Sequence, residues 1–422
     1  MKLKKMALLF IIAGGILYGI CTDLAYAGGA YIYEMANPTD VGYGSAGLAA
    51  RAGDAGTVFA NPAGMTRFEN STYMTGITPL NIYASFDSNE NTTATGPDDN
   101  VNEFLSGAAI AAIIPVGDRL TFGISAQNFF GLAIRWGDNW KGRYQATQVA
   151  LLAPQIQPTV AYKVTNWLSI GAGAGLTMGV LQDQAKVYNA ADPTLGDGKL
   201  NYDDTSFAVQ GNFGIMIDPF DNTRIGVRYL TETTLDFKSR MYMSGVGPEI
   251  AEVMKGVGQV NLKMKMPQAV MSGIFHQFND QWAFLGSVGW DDWSEFERIH
   301  VKVDGTGMNR VVSADFRDVW HFGVAAQYQY TPKWMFSGGF SYDTPMMRGS
   351  TRPMELPLGP MYRYGAGFKY RKGDDLTLGG GLTVLYEGEL KVKKAGSPVS
   401  GGEVDGKYEN AVITFLSLYV EW

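Results

Sequence analysis

Hydrophobic and polar residues alternate along the last twelve positions, 411–422. Val412, Thr414, Leu416, Leu418, Val420 and Trp422 share one face, and Ile413, Phe415, Ser417, Tyr419 and Glu421 share the other. A period of two is that of an extended strand, and a strand of this kind closing on an aromatic residue is typical of an outer-membrane β-barrel. The same dyad pattern recurs upstream. Trp320, Phe322, Val324, Ala326, Tyr328 and Tyr330 alternate with His321, Gly323, Ala325, Gln327 and Gln329, which predicts a lipid-facing set and a lumen-facing set. Leu376, Leu378, Leu382, Val384 and Tyr386 alternate likewise with Thr377, Gly379, Gly381, Thr383 and Glu387.

Turn signals set the strand count. Tight turns are expected around Gly117-Asp118, Thr165-Asn166, Phe220-Asn222, Asn279-Asp280, Thr331-Pro332 and Gly373-Asp375. Longer polar or Gly/Pro-rich connections lie at 84–102, 130–149, 189–202, 239–257, 304–309, 343–358 and 396–407, as expected for extracellular loops opposite short periplasmic turns. Together they predict an all-β chain: a fourteen-stranded antiparallel transmembrane barrel over residues 68–422, with both ends on the periplasmic side. An energised receptor with a separate plug domain needs about 22 strands, more than this chain can supply.

The leader agrees with a secreted chain. Lys2, Lys4 and Lys5 precede an apolar run from Met6 to Ile20, and Ala25-Tyr26-Ala27 offers small residues to a signal peptidase, so residues 1–27 read as a signal peptide. Cys21, the only cysteine, lies within it, which leaves neither a disulfide nor a thiol nucleophile in the mature chain. Removing Lys2, Lys4, Lys5 and Asp23 moves the formal charge from -7 to -9, which argues against nucleic acid as a partner. No run of 18 or more apolar residues remains, so the apolar surface is spread over strands and not over spanning helices. The implied location is the outer membrane.

Residues 28–67 show neither a helical nor a sheet period. They are rich in Gly and Ala, contain Asn61-Pro62-Ala63-Gly64, and hold Tyr31, Ile32, Tyr33, Val41, Leu48, Val58 and Phe59. A fourteen-stranded lumen is wide enough to need filling, and this apolar content exceeds that of a disordered tail. The segment is therefore expected to fold inward as a plug.

Several motifs in order carry a resemblance: Asn61-Pro62-Ala63; Trp140-Lys141-Gly142-Arg143-Tyr144, followed by Gln157-Pro158-Thr159-Val160-Ala161-Tyr162; Met266-Pro267-Gln268, leading to Trp290 and Trp293-Ser294-Glu295-Phe296; and Tyr342-Asp343-Thr344-Pro345. Across essentially the whole mature chain the sequence resembles the FadL-type outer-membrane transporters of long-chain fatty acids and other hydrophobic compounds, including the toluene and xylene channels. The resemblance implies an N-terminal hatch at 28–67 gated through Asn61, Pro62, Ala63 and Gly64. It also implies a ligand groove between the loops after the third and seventh strands, an interior pocket, and lateral release into the membrane near a kink in the third strand, at about 119–130. No energy source is required.

The loops fit that expectation. Phe129, Phe130, Leu132, Ile134, Trp136 and Trp140 are too apolar for a merely solvated loop, and Pro248 to Lys255 reads as a short helix with Ile250, Val253 and Met254 on one face. Arg135, Lys141 and Arg143 offer contact to a carboxylate at the groove, with pairing to loop acids or lipid phosphates as their competing role. The fifth strand, Trp167 to Gln182, has no Lys or Arg, which admits neutral cargo. The partners implied are hydrophobic small molecules or fatty acids, the outer-membrane lipid, and the barrel-assembly machinery acting on the C-terminal strand, with a monomer as the working state.

Other chemistry finds little support. Gly171-Ala172-Gly173-Ala174-Gly175 has no helix after it and so is no phosphate loop. Asp87, Asn89 and Asn91 begin like a calcium loop, but Thr92 stands where Gly is needed and Asp98 where Glu is needed. No cofactor or metal is expected. The alternatives are an outer-membrane porin and a barrel hydrolase; the latter requires a base from His276, His300 or His321, none of which adjoins a serine motif.

Overall fold

The computed structural model describes residues 30–296, 298–313, 315–373, 375–397 and 400–422. The expected signal peptide and its cleavage site lie outside them. Within the described residues, fourteen antiparallel strands form the barrel. They are β1 (Thr72–Ser88), β2 (Asn100–Val116), β3 (Leu120–Arg135), β4 (Gln148–Lys163), β5 (Leu168–Val187) and β6 (Gly198–Phe220). Then follow β7 (Thr223–Leu230, continued by Thr233–Arg240), β8 (Gln259–Met266 and Ala269–Gln277), β9 (Trp282–Asp291 and Arg298–Val303) and β10 (Met308–Ser313 and Val319–Gln329). The circuit ends with β11 (Trp334–Asp343), β12 (Met361–Lys372), β13 (Leu376–Lys391) and β14 (Gly406–Glu421). Each strand pairs with its sequence neighbours, and β14 pairs with β1 to close the ring. Closure leaves no ladder edge in lipid, where an unpaired backbone group has no water to bond.

All six short turns fall where the residues predict them, and the strands run further into the long connections than the turn signals suggest. β3 continues to Arg135, so Phe129, Phe130, Leu132 and Ile134 lie on a strand and not in a loop. Alternation sorts the faces as expected. Phe322, Val324, Leu416 and Leu418 are exposed, whereas His321, Ala325, Phe415 and Ser417 are buried. Trp422 closes the cylinder: its backbone exchanges hydrogen bonds of 2.8 and 2.9 Å with Tyr73, and the two rings stack at 6.0 Å.

β7 to β10 are interrupted at one common level, at 231–232, 267–268, 292–296 and 315–318. Beyond that level their outer halves form a separate four-stranded leaf. Its inner face, including Leu235, Phe237, Val260, Leu262 and Val301, is buried. Along Thr233–Arg240 the leaf meets β6 through side chains, Thr233 Oγ1 donating to the Val209 carbonyl at 2.5 Å and the Asp236 amide to Ser206 Oγ at 2.9 Å, and a regular ladder resumes just beyond, where Tyr242–Ser244 pairs with residues 199–201 of β6.

Residues 30–65 pack against the inward faces of the strands. Their local structure is a series of one-turn helices, Tyr33–Ala36, Leu48–Arg51 and Thr57–Ala60, with 3-10 turns at Asp40–Tyr43 and Pro62–Arg67. Short turns follow from composition, because the frequent Gly and Ala residues bring backbone against backbone but do not sustain a long helix. Burying Val41, Leu48, Val58 and Phe59 stabilises by about 1.5–3 kcal/mol each. The wall is shaped to receive the segment. A Cβ added at Gly226 collides with the Ala49 carbonyl, and one at Gly339 with the Tyr43 carbonyl.

Gly226→Val is therefore expected to push the 48–51 turn off the wall, at a cost of about 1–3 kcal/mol for the forced backbone shift. Trypsin should then cut after Arg51 or Arg67 while the barrel keeps its heat-modifiable gel mobility. Unaltered protease resistance would show that the approach is looser than described.

Candidate functional site: the aromatic nest and the buried charges around it

The third strand is irregular where it meets the N-terminal segment. Its register against β4 shifts between Asn128 and Gly131, and Gly131 has φ 142°, a conformation that favours glycine. A bulge removes backbone groups from their ladder, and these must be paired elsewhere. Here they pair with residues 30–32: Ala30 and Tyr31 align antiparallel with Gly131 and Phe130, and the Ile32 amide donates to the Phe129 carbonyl at 2.8 Å.

Side chains converge at that junction into an aromatic nest. Tyr31 stacks on Phe129 at 5.7 Å, Phe59 meets Phe129 at 4.6 Å, and Phe130 stacks on Trp293 at 6.0 Å. Phe296 and Phe316 extend the cluster. The Tyr31 hydroxyl donates to the Pro267 carbonyl.

One cation stands in this apolar setting. Arg228, on β7, has 1% of its surface exposed, and its guanidinium lies 4.2 Å over the Phe59 ring and 5.5 Å from the centre of the Tyr33 ring. None of its three side-chain nitrogens has a hydrogen-bond partner among the described residues. It lies on the seventh strand, not on the fifth, whose residues 167–182 lack a basic residue. The only local trace is a charged residue at an inward position of the alternating run Thr223–Leu230.

A set of buried ion pairs ties the N-terminal segment down. Arg363 on β12 binds Glu34 at 3.0 Å and Asp343 at 2.5 Å. Arg51 binds Asp40 at 2.6 Å and Asp54 at 3.1 Å, and Asp54 also meets Lys369 at 3.5 Å. His321 Nδ1 lies 2.6 Å from Asp343 Oδ1, and His321 Nε2 lies 3.3 Å from Ser287 Oγ. These are the distances of a hydrolytic triad, yet the Gly47 amide donates to Ser287 Oγ at 3.2 Å, and the Ala46 side chain packs beside the same oxygen, against Gly323. The hydroxyl is engaged in holding the segment.

Asn61 anchors the next turn. Its Oδ1 accepts from the Ala63 amide at 3.1 Å, while its Nδ2 donates to the carbonyls of Ala49 at 2.6 Å and Ile215 at 3.1 Å. Pro62 begins the 3-10 turn, where its missing N–H costs nothing. Gly64 leaves only 2.8 Å between an added Cβ and Thr57. The Gly171 position abuts Pro62 and Ala63, which explains the glycine-rich run in β5 as a close approach.

The structure divides the residues expected to share one groove. Phe129 and Phe130 belong to the nest. Leu132 has a side chain outside the described residues, and Ile134 is buried further along β3. Trp136 and Trp140 stack on each other at 5.2 Å at the long-loop end; Trp136 Nε1 donates to the Tyr408 hydroxyl at 3.1 Å, and Phe86 abuts Trp140 at 5.7 Å. The helix Pro248–Met254 forms as its residues suggest, with Ile250 buried and Val253 and Met254 half-buried. Of the three basic residues, Lys141 pairs with Asp98 at 3.1 Å and Arg143 with Asp197 at 2.8 Å, whereas Arg135 is exposed and donates to Gln148 at 3.3 Å. Arg143 also donates to the Thr95 carbonyl and to the Tyr144 hydroxyl, stitching three loops together. Burial, with the Asp197 hydrogen bond second, pushes the Tyr144 hydroxyl up to about 12. The Lys186 hydrogen bond holds Asp138 below the usual carboxylate range.

With this geometry in place, known proteins give it a context. The family described as outer membrane protein transport protein (OMPP1/FadL/TodX) matches residues 19–419. The chain belongs to that family. The long-chain fatty acid transport protein of Escherichia coli O6:H1 is 23% identical, covering 91% of this chain and 92% of the relative. Outer membrane protein P1 of Haemophilus influenzae is also 23% identical, covering 88% and 90%. Among solved structures, a Pseudomonas aeruginosa FadL homologue superposes with a TM-score of 0.78 at 19% identity, covering 92% of this chain and 98% of that one. The Ralstonia pickettii toluene transporter TbuX gives 0.65 at 18%, covering 91% and 97%. These likenesses fix the fold, and the family places this FadL-type chain in the outer membrane among transporters and not enzymes.

Replacing Arg363 by Met leaves Glu34 and Asp343 buried without their cation, a loss of about 3–5 kcal/mol. The temperature at which the folded gel band disappears should fall, and adding Glu34→Gln should recover part of the loss, as a coupled pair requires. A second outcome concerns Glu355, in the long connection 344–360 of this FadL-family barrel. Burial pushes its carboxyl up from 4.5 to about 7. The folded state thus binds the proton more tightly, and the loop's packing loses stability as pH rises from about 4.5 to about 7, then levels off. Amide exchange over 344–360 should be faster at pH 8 than at pH 5 after correction for intrinsic rates, and Glu355→Gln should remove the difference.

Proposed function

We propose that this barrel carries long-chain carboxylic acids across the outer membrane, with Arg228 receiving the carboxylate inside the aromatic nest. The observation that carries this reading is the buried guanidinium without an acceptor. Keeping an unpaired cation out of water is costly, and a carboxylate supplies planar, charge-assisted hydrogen bonds that water-excluded aromatic surface cannot. The names of the curated relatives, long-chain fatty acid transport proteins, support the same class of cargo. Neutral aromatics are the second reading, favoured by the rings of the nest and by the toluene transporters that share the fold.

In this reading residues 28–67 act as a hatch. An amphiphile enters among the long loops, past Trp136, Trp140 and the 248–254 helix, which face the extracellular side. It then reaches the nest by displacing Tyr31 or Tyr33. Once residues 30–32 leave the bulge of β3, the wall at Asn128–Gly131 has lost its substitute pairing, and that is the lateral exit into the bilayer. The turn at Asn61, Pro62, Ala63 and Gly64 is the pivot that keeps the rest of the segment seated. Partitioning of apolar surface, at about 25 cal/mol per Å², drives the passage without an energy source. The barrel acts as a monomer, and its C-terminal strand with Trp422 is the part the assembly machinery engages.

Binding of a long-chain fatty acid by the purified barrel, followed by quenching of tryptophan emission, tests the cargo. Arg228→Met should weaken it by about ten- to hundredfold, the worth of one charge-assisted hydrogen bond, and leave toluene binding unchanged. Equal loss for both ligands, or for neither, would refute a carboxylate site. Deleting Asn61 to Gly64 should abolish uptake by cells while the barrel remains folded; normal uptake would remove the hatch role.

A further inference from the structure

The inward faces of β3 to β6 carry a row of carboxamides that neither the ion pairs nor the aromatic nest accounts for. Gln127, Gln155 and Gln210 are all buried, and they connect side chain to side chain across the strands. Gln127 Nε2 donates to Gln155 Oε1 at 3.2 Å. Gln155 Nε2 donates to Thr177 Oγ1 at 2.9 Å and to Gln210 Oε1 at 3.1 Å, and Gln210 Nε2 donates to the Thr231 carbonyl at 3.0 Å. Gly175 permits the crossing of β5, because a Cβ there would collide with Gln155 Cδ.

The direction of this chain is fixed at one end. A backbone carbonyl accepts and cannot donate. Thr231 is itself held to β6, its amide donating to the Gly211 carbonyl at 3.0 Å and its Oγ1 accepting from the Gly211 amide at 2.9 Å. Gln210 therefore turns its NH2 to Thr231 and its oxygen to Gln155; Gln155 turns its NH2 to Gln210 and its oxygen to Gln127; and Gln127 commits its NH2 to Gln155. One oxygen is left over at the far end. Gln127 is only 4% exposed, and its Oε1 has no hydrogen-bond partner among the described residues.

The two ends of the chain lie at the two places the transport reading uses. It starts at Thr231, three residues along β7 from Arg228, and it ends one residue before β3 leaves its register at Asn128. Asn128 falls on the alternate row of β3, after the exposed Phe122 and Ile124, and its Oδ1 is likewise shut off from solvent and without a partner among the described residues. Successive residues, one on each row of the wall, thus offer a side-chain carbonyl oxygen at the bulge. An unpaired acceptor in a dry site is costly, and only a hydrogen-bond donor relieves it. A carboxylate or an ether has no donor to give, whereas a hydroxyl has one.

We propose that Gln127 Oε1, with Asn128 Oδ1 next to it, forms a subsite for a hydroxyl donor, so that the barrel takes long-chain alcohols as well as acids and passes their headgroup along β3. The Gln155 and Gln210 side chains are positioning residues that keep the Gln127 oxygen, and not its NH2, at the free end. The proposal deepens the reading of the β3 bulge as the exit, and it does not require a carboxylate at Arg228.

Binding of 1-dodecanol, its methyl ether and laurate at pH 8 to the purified barrel, followed by tryptophan emission, tests it. Gln127→Met should weaken dodecanol by about fivefold, the worth of one neutral hydrogen bond, and leave the ether and laurate unchanged; should that variant not assemble, Gln127→Asn, which keeps a carboxamide on a shorter arm, should show the same pattern. Gln155→Met frees the Gln127 carboxamide to turn its NH2 forward, so the ether should bind more tightly than it does to the wild type. Arg228→Met should weaken laurate and leave dodecanol unchanged. Equal loss of alcohol and ether in Gln127→Met, undiminished alcohol binding in it, unchanged ether binding in Gln155→Met, or loss of dodecanol in Arg228→Met would each overturn the subsite. Laurate unaffected by Arg228→Met, with the alcohol pattern as expected, would remove the carboxylate reading and leave the subsite standing.

Discussion

Every backbone polar group in this molecule needs a partner that lipid cannot supply. Along the wall the requirement is met by a closed ladder, β14 returning to β1. At two places the ladder is interrupted, and the substitutes differ in kind. The bulge of β3 is completed by residues 30–32, a separate piece of chain that is held by few bonds. The seam between β6 and the leaf is completed by hydroxyls of the wall itself, Thr233 and Ser206. A substitute that belongs to another segment is removable, whereas one built into the same strands is not. That difference is the physical reason for proposing an exit at β3.

A second constraint is that the charged residues of the N-terminal segment are held in the lumen by ion pairs. Glu34, Arg363, Asp343 and His321 form one connected set, and Asp40, Arg51, Asp54 and Lys369 another. Both sets join the N-terminal segment to strands at fixed points, so the segment has one seating. Against that background Arg228 stands apart, with aromatic faces over its guanidinium and no hydrogen-bond acceptor among the described residues. In the proposed reading, a carboxylate site at Arg228 and the ion pairs that seat residues 30–65 are two uses of the same low-dielectric interior.

The Ser287, His321 and Asp343 constellation shows how far geometry alone can mislead. The spacing matches a nucleophile, a base and an orienting acid, but the serine oxygen faces the Gly47 amide and Asp343 is shared with Arg363. Both partners fix the imidazole and the hydroxyl in place, and the pairing seats residues 46–47 against the wall. No serine beside His321 in the chain announced it, because Ser287 reaches the histidine only across the β9–β10 ladder, where it is the register partner of Gly323.

Much of the fold was legible in the chain. Alternation in runs such as Trp320 to Tyr330, and turn residues such as Gly117-Asp118, are local signals, since facing and turning are decided over two to four residues. They yielded the strand count, the faces and the short turns. The helix at 248–254 was equally local. What the tertiary structure alone decided depends on residues brought together from distant strands. Phe129 joined Tyr31 in the interior and parted from Trp140, Lys141 and Arg143 were absorbed by loop acids, and Arg228 was left without an acceptor in the nest. Strand periodicity states which way a side chain points; it carries no information on what waits across a lumen, and in a barrel the function is assembled across that gap.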